Sequence, residues 1–172
     1  NPRAISKYAF PSFDHICVVG LGGSSLGTKM LCESLRKTNI SFLDNIDPDF
    51  VTVELKKLQN KKTLWLLVSK SGQTIEVITL AHYLLKKVGR RRIAVISDTQ
   101  TSALGQLATK YNLPFIQSPA LVPGRFSLLS EVSLVPSLLS GISIKHVLRG
   151  SQRSSRRLAV AFAASQYLHL HQ

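Results

Sequence analysis

Acidic residues are scarce. Nine Asp and Glu stand against 22 Lys and Arg in 172 residues, a formal net charge of +13. No acid follows Glu131, although Lys145, Arg149, Arg153, Arg156 and Arg157 do. A field of that sign attracts phosphorylated metabolites, nucleic acid or acidic membranes; the plainer reading of the basic tail is a solvated helix face, or one that meets another part of the protein. Cysteine is nearly absent. Cys17 and Cys32 alone exclude a disulfide scaffold and read as reduced, half-buried thiols of a cytoplasmic protein. No apolar run approaches the ~18–20 residues of a membrane span, and no signal-peptide pattern opens the chain. Aromatics are few, at 7%, and the tail offers only Phe162 and Tyr167. Nucleic-acid surfaces interleave aromatics with cations, so neither nucleic acid nor membrane is expected as a partner.

Apolar residues are plentiful, at 44% against 18% charged, which excludes a disordered chain. A chain of this size is one domain able to bury roughly 70% of its unfolded surface.

Apolar runs and helical periodicity alternate. Continuous runs at 15–20 (HICVVG), 40–44 (ISFLD), 63–69 (TLWLLVS), 93–97 (IAVIS) and 113–116 predict strands. Helices are predicted over 26–36, with Leu26, Met30, Leu31 and Leu35 as the apolar face, and over 49–58 behind a cap at 47–49. Three more are predicted at 72–87, with Ile75, Ile78, Leu80, Leu84 and Leu85 inward, at 102–110 and at 128–139, where Pro136 is a limit. Residues 119–126 read as a loop, 150–157 (GSQRSSRR) as a loop or frayed helix start, and 158–170 as a helix. Strand–helix alternation with short connections implies parallel strands and right-handed crossovers. The expected fold is α/β: a doubly wound open sheet of about five parallel strands flanked by helices.

Two loops carry chemistry. Residues 20–27 (GLGGSSLG) join the first strand to the first helix, where open α/β sheets bind ligands and a helix start favours an anion. The loop fails the dinucleotide fingerprint at Ser25, and fails the P-loop because Thr28-Lys29 are in the wrong order. Ser69, Lys70, Ser71 and Thr74 follow the third strand. Three hydroxyls, a lysine and free backbone N–H groups at a helix start suit a dianionic phosphate, whereas an ordinary cap needs one hydroxyl.

The motifs VVGLGGSSLGTKML, FLDNIDPD, LVSKSGQTIE and PGRFSLLSEVSLVPSLLSGI, in that order, resemble the first sugar isomerase (SIS) domain of the glucose-6-phosphate isomerase family. The resemblance implies the SIS fold, which is flavodoxin-like, over 1–172, with 150–172 a basic helical tail, as the N-terminal part of a longer isomerase. It implies a hexose 6-phosphate as ligand, no cofactor or metal, and a homodimer or the rest of the isomerase chain as partner. Within it, Ser69, Lys70, Ser71 and Thr74 match the phosphate loop, and Gly23 and Ser24 match the part of the glycine loop lining the sugar. Gly124 and Arg125 match the G-R pair whose arginine stabilises the enediol intermediate, and Glu76 matches a supporting acid. Val77 stands where the family usually has Thr, and Pro123 where it has Gly. The family's base lies in its second half, and none of His15, His82, His146, His169 and His171 matches the catalytic histidine. By the resemblance, this chain supplies phosphate binding and one arginine. A stand-alone phosphosugar-sensing module without catalysis is the alternative.

Overall fold

The structure is a computed structural model that describes residues 10–153 and 156–170. Two compact units divide the chain, 1–142 and 143–172.

The first unit is built on five parallel strands: β1 (His15–Val19), β2 (Ile40–Leu43), β3 (Thr63–Val68), β4 (Ile93–Ser97) and β5 (Phe115–Gln117). Their order is β2-β1-β3-β4-β5. β1, β3 and β4 are buried along their whole length, as their unbroken apolar runs require, and the edge strands β2 and β5 are buried only in part. The register pairs His15 with Thr63, Trp65 with Ile93, and Val95 with Phe115. This is the flavodoxin-like order, whose winding reverses between β1 and β3.

The connections carry α1 (Leu26–Ser34), α2 (Pro48–Leu58), α3 (Ile75–Lys87), α4 (Ala103–Tyr111) and α5 (Glu131–Leu139). Three 3-10 segments punctuate them: Gly22–Ser24, Arg90–Arg92 and Gly124–Leu129. The caps are legible. Asp47 accepts from the backbone N–H of Asp49 and Phe50 at 3.1 and 2.9 Å, with Pro48 in the first turn. Ser102 accepts from Gly105 N–H, and Asn112 closes α4 in the left-handed conformation.

Alternate residues of the strands serve the two sheet faces. Cys17, Val19, Trp65, Leu67 and Val95 pack with Leu80 and Leu84 of α3 and Leu104 and Leu107 of α4. α5 packs on β1 and β4, burying Val132 and Val135. Both thiols are fully buried rather than half-buried, and burial pushes Cys17 up to about 12.

The positions of α1 to α5 agree with the sequence expectation, but parts of two helix faces do not. Leu26, Met30 and Leu35 of the α1 region are exposed, while Thr28 and Cys32 are buried. The reason is close approach to α5. A Cβ on Gly27 would meet Ser133 Oγ at 2.5 Å, and Cys32 Sγ lies 3.8 Å from Ser140 Oγ. Only small side chains fit such a seam, so the larger ones turn outward. In α3, Ile75 is likewise exposed, and Val77 and Ala81 join Leu80 and Leu84 inside. The expected loop at 119–126 gives way at Gly124 to a 3-10 segment, and Pro136 is buried within α5 without ending it.

The second unit holds α6 (Ile144–Gln152), which was not expected, and α7 (Arg156–Leu170), which was. α6 has few apolar residues to announce it. The Gly150–Gln152 part of the basic–serine stretch ends α6, Arg156 opens α7, and residues 154 and 155 lie outside the described residues. No helix of the described residues is long and apolar enough to cross a membrane.

His15, buried at the start of β1 with its Nε2 3.0 Å from Ser41 Oγ, has its pKa held below the ordinary 6.5, first by loss of solvent and then by Lys61, against a raising effect of Asp14. A histidine whose folded pKa is depressed takes up its proton on unfolding, so its contribution is present above about pH 6.5 and is lost as pH falls below it. Urea midpoints measured from pH 8 to 5.5 are expected to fall more steeply for the parent than for His15→Gln; parallel curves would remove His15 from the account.

Candidate functional site

The carboxyl ends of β1 and β3 flank the point where the winding reverses. Gly20 ends β1 so close to β3 that a Cβ there would sit 2.8 Å from Val68 O. Glycine is required at that contact, and it sets the loop after β1 beside the loop after β3. Gly22 (φ +55°) turns the chain into the first 3-10 segment.

Loop 69–74 is pinned from behind. Ser69 N–H donates to Ile96 O, Gly72 N–H to Ser69 O, and Leu104 N–H to Gly72 O at 2.9 Å. Lys70 O accepts from Asp98 N–H and from Ser97 Oγ, at 2.9 and 3.3 Å. Gly72 adopts φ +63°, tucked against Ser97 and Ser102. Ser69 and Thr74 share a hydroxyl hydrogen bond of 2.9 Å. Thr74 therefore precedes α3 without capping it, and the helix start carries no side-chain cap. The first N–H groups of a helix lack intrahelical acceptors. Here they open toward a hydroxyl pair rather than a cap, which is suited to an anion. Ser71 is exposed, accepting from Gln73 N–H at 3.3 Å. Lys70 Nζ donates to Ala120 O at 2.5 Å, tying the loop to the segment after β5. Glu76 lies in the first turn of α3, half-buried.

Arg125 arrives through the third 3-10 segment. A Cβ on Gly23 would lie 2.6 Å from Gly124 C and O and 2.8 Å from Arg125 N, so the two backbones touch. Ser127 Oγ spans them, donating at 3.2 Å toward Gly23 O and at 2.5 Å toward Gly124 O. The Arg125 side chain is exposed, its guanidinium carbon 5.6 Å from the centre of the Phe126 ring. Half-buried Ser24 lines the same turn. Gly23, Ser24, Gly124 and Arg125 thus form one group. Ser69, Lys70, Ser71 and Thr74 form a second group, beside the first at the carboxyl edge.

A sequence model described as Phosphoglucose isomerase matches residues 4–164. The chain belongs to the phosphoglucose isomerase family. A "Probable glucose-6-phosphate isomerase" of Haloarcula marismortui is 37% identical over 155 residues, covering 85% of this chain and 35% of that protein. A solved structure of a hypothetical protein from Thermus thermophilus superposes with a TM-score of 0.76 at 30% identity, over 92% of this chain and 42% of the other. A glucose-6-phosphate isomerase from Chlamydia trachomatis gives a TM-score of 0.61 at 27% identity, over 72% of this chain and 26% of that one. The chain therefore spans less than half the length of these relatives.

The phosphoglucose isomerase frame sorts what the motifs left open. Val77 is fully buried in the core. Pro123 precedes the third 3-10 segment at φ −59° and accepts from Phe126 N–H. Gly124 has open space where a Cβ would stand. Close approach demands glycine at position 23 instead. Sequence reasoning passed over three serines. Ser127 sits inside the quoted PGRFS motif, and its spacing from Gly124 was the available signal. Ser97 and Ser102 act across chain segments and gave none.

Proposed function

We propose that this chain supplies the phosphosugar-binding SIS domain of a glucose-6-phosphate isomerase, spanning 1–172 with a basic helical tail at 150–172, which interconverts glucose 6-phosphate and fructose 6-phosphate through an enediol intermediate. The observation that carries the reading is the juxtaposition at the winding reversal: an uncapped helix start behind the Ser69–Thr74 hydroxyl pair, beside a glycine turn seated on the backbone of Arg125. The phosphate rests on Ser69, Ser71, Thr74 and the α3 N–H groups, with Lys70 moving from Ala120 O to complete the charge balance. The sugar lies along Gly23, Ser24 and Gly124. The Arg125 guanidinium turns from Phe126 to the oxygen on which negative charge develops as the C2 proton leaves, an electrostatic contribution that arginine's fixed charge suits. Glu76 has a supporting role through the α3 start. The base that carries the proton between C2 and C1 is assigned to the part of the relatives outside the match. A homodimer or that remaining part completes the pocket, in the cytoplasm.

Calorimetric titration with fructose 6-phosphate is expected to show saturable, weak binding, reduced at least about tenfold by the double substitution Ser69→Ala, Thr74→Ala, since each lost hydrogen bond to a charged group is worth about 1.5–3 kcal/mol. A coupled assay forming glucose 6-phosphate is expected to show negligible turnover of the chain alone, as of its Arg125→Ala variant. Turnover on the order of 1–10³ per second would mean that a base lies within these residues, with Glu76 and Glu131 the first to test. Binding indifferent to both hydroxyls would remove the phosphate assignment.

A further inference from the structure

Folding gathers cations that the sequence scatters. The connections that enter the strands meet at the amino edge of the sheet, opposite the candidate site. Lys61 and Lys62 lead into β3, and Arg90–Arg92 form the 3-10 segment that leads into β4. β3 and β4 are neighbours in the sheet, about 4.8 Å apart. Lys61, Lys62, Arg90 and Arg91 are exposed, and Arg92 is half-buried. The C-terminal turns of α2 and α3 end toward the same connections, with Lys56 and Lys57, and with Lys86 and Lys87. The helix dipole accounts for lysines in last turns. It does not account for the cations beyond them. The acids toward this edge are Asp14, Glu33 and Glu54, the last paired with Lys57 at 2.6 Å.

Two depressions flank the Arg90–Arg92 ridge. One, of about 490 Å³, is lined by Phe10, Arg90, Arg91 and Asn112 between two prolines. The other, of about 330 Å³, has Lys61, Lys87, Arg92 and Gln59 around Leu55 and Trp65. Among the described residues, no acid lines either one. Lys61 also acts on buried His15, adding to the desolvation that already disfavours its protonated form.

We propose that this amino edge binds the phosphate backbone of nucleic acid through Lys61, Lys62, Arg90, Arg91 and Arg92, without reading base sequence. The cations are spread over the two connections that enter β3 and β4 instead of being held in one loop, which suits a polymer carrying repeated charge, about one per 1.7 Å of duplex axis, better than a small anion. Membrane association joins cations to apolar groups that insert. Of the large exposed apolar side chains, Leu26, Ile75, Leu121 and Phe126 belong to segments following strand ends, on the candidate-site side, and Leu35, at the end of α1, leads into β2 rather than into β3 or β4. Neither basic connection carries an exposed aromatic to stack on bases, so the contact is electrostatic. The expectation of no nucleic-acid partner rested on the lack of aromatics among the cations of the tail, and a contact made through phosphates alone does not need them. The edge exists only once the strands have aligned.

Fluorescence anisotropy with two 20-base-pair DNA duplexes of unrelated sequence tests this. Both are expected to bind alike, with affinity falling about 10²–10³-fold between 50 and 200 mM KCl if five phosphate contacts are made. The variant Lys61→Glu, Lys62→Glu, Arg91→Glu is expected to lose at least 100-fold at 50 mM KCl with its circular dichroism unchanged. If it fails to fold, the glutamine version of the same triple variant is used, with a loss of at least tenfold expected. Arg149→Glu, Arg153→Glu in the tail is expected to cost less than threefold, and saturating fructose 6-phosphate is expected to displace nothing. The proposal is overturned if the tail variant loses binding while the edge variant keeps it. It is also overturned if adenosine monophosphate competes as well as a duplex at equal phosphate, or if the protein binds phosphatidylserine vesicles but not DNA.

Discussion

Gly72→Ala is expected to destabilise the chain by about 3 kcal/mol and to abolish phosphate binding with it. Two effects add. A left-handed conformation costs an L-residue roughly 1–2 kcal/mol, and Gly72 holds φ +63°. The new Cβ would also overlap Ser102 Oγ and stand 2.6 Å from Ser97 Oγ. Neither serine can yield freely. Both are buried, and Ser102 donates to Thr99 O at 2.7 Å while capping α4 through Gly105 N–H. Displacing Ser102 removes that cap, a loss of about 0.5–2 kcal/mol. Urea denaturation is expected to show a lower midpoint at unchanged slope. Adding Ser102→Gly removes the overlap with that serine but leaves the backbone strain, the 2.6 Å approach to Ser97 Oγ and the lost cap, and is expected to recover little of the loss. A single variant within about 0.5 kcal/mol of the parent, the range of inert surface changes, would mean that loop 69–74 is not held as described.

Gly23→Ala is expected to separate sugar binding from phosphate binding. Its Cβ would stand 2.6 Å from the Gly124 carbonyl carbon and oxygen. Backbone cannot swing aside as a side-chain tip can, so the segment carrying Arg125 has to lift and the Ser127 bridge to break. Overpacking of this kind costs typically about 1–3 kcal/mol. Inorganic phosphate, which the proposed site places on the loop after β3, is expected to bind within about threefold of the parent by calorimetry, since each contact retained there keeps its usual roughly 1.5–3 kcal/mol. Fructose 6-phosphate is expected to lose the advantage that its sugar ring confers. Gly124→Ala, with nothing within 4 Å of its Cβ, is the contrasting control and is expected to change stability by no more than about 0.5 kcal/mol. Equal losses for both ligands in Gly23→Ala would tie the glycine turn to phosphate instead.

Strand runs such as TLWLLV at 63–68 were legible because a strand covered on both faces has no polar alternation to confuse it. The loop residues Ser69 to Thr74 were legible for a similar reason: hydroxyls and a glycine crowded at a helix start are a local signal. The buried face of α1 was not legible. Leucine spacing pointed to Leu26, Met30 and Leu35, whereas the structure buries Thr28 and Cys32. Which side of a helix faces inward depends on how close the partner helix comes, and Ser133 and Ser140 of the α5 region lie far away in sequence. The grip of Ser97 and Ser102 on Gly72 was hidden by the same kind of distance, and so was the contact of Gly23 with Gly124. Both glycines stand in motifs that were easy to see, but neither motif says which of the two has to be small; the close approach at Gly23, and the open space at Gly124, emerge only from the fold.

The strand order also dictates a timetable. β1, the first of the five strands to leave the ribosome, takes an inner place between β2 and β3. Its register with β3 joins His15 to Thr63, so that side of β1 waits until the third strand has been made, and β4 and β5 then add outward in turn. Non-local parallel pairings close large loops before they gain contacts, which slows them. During that interval the wholly apolar residues Ile16–Val19 present an unpaired edge, the kind of surface on which nascent chains aggregate. Early pairing with β2, whose connection through α1 is short, covers one side of it.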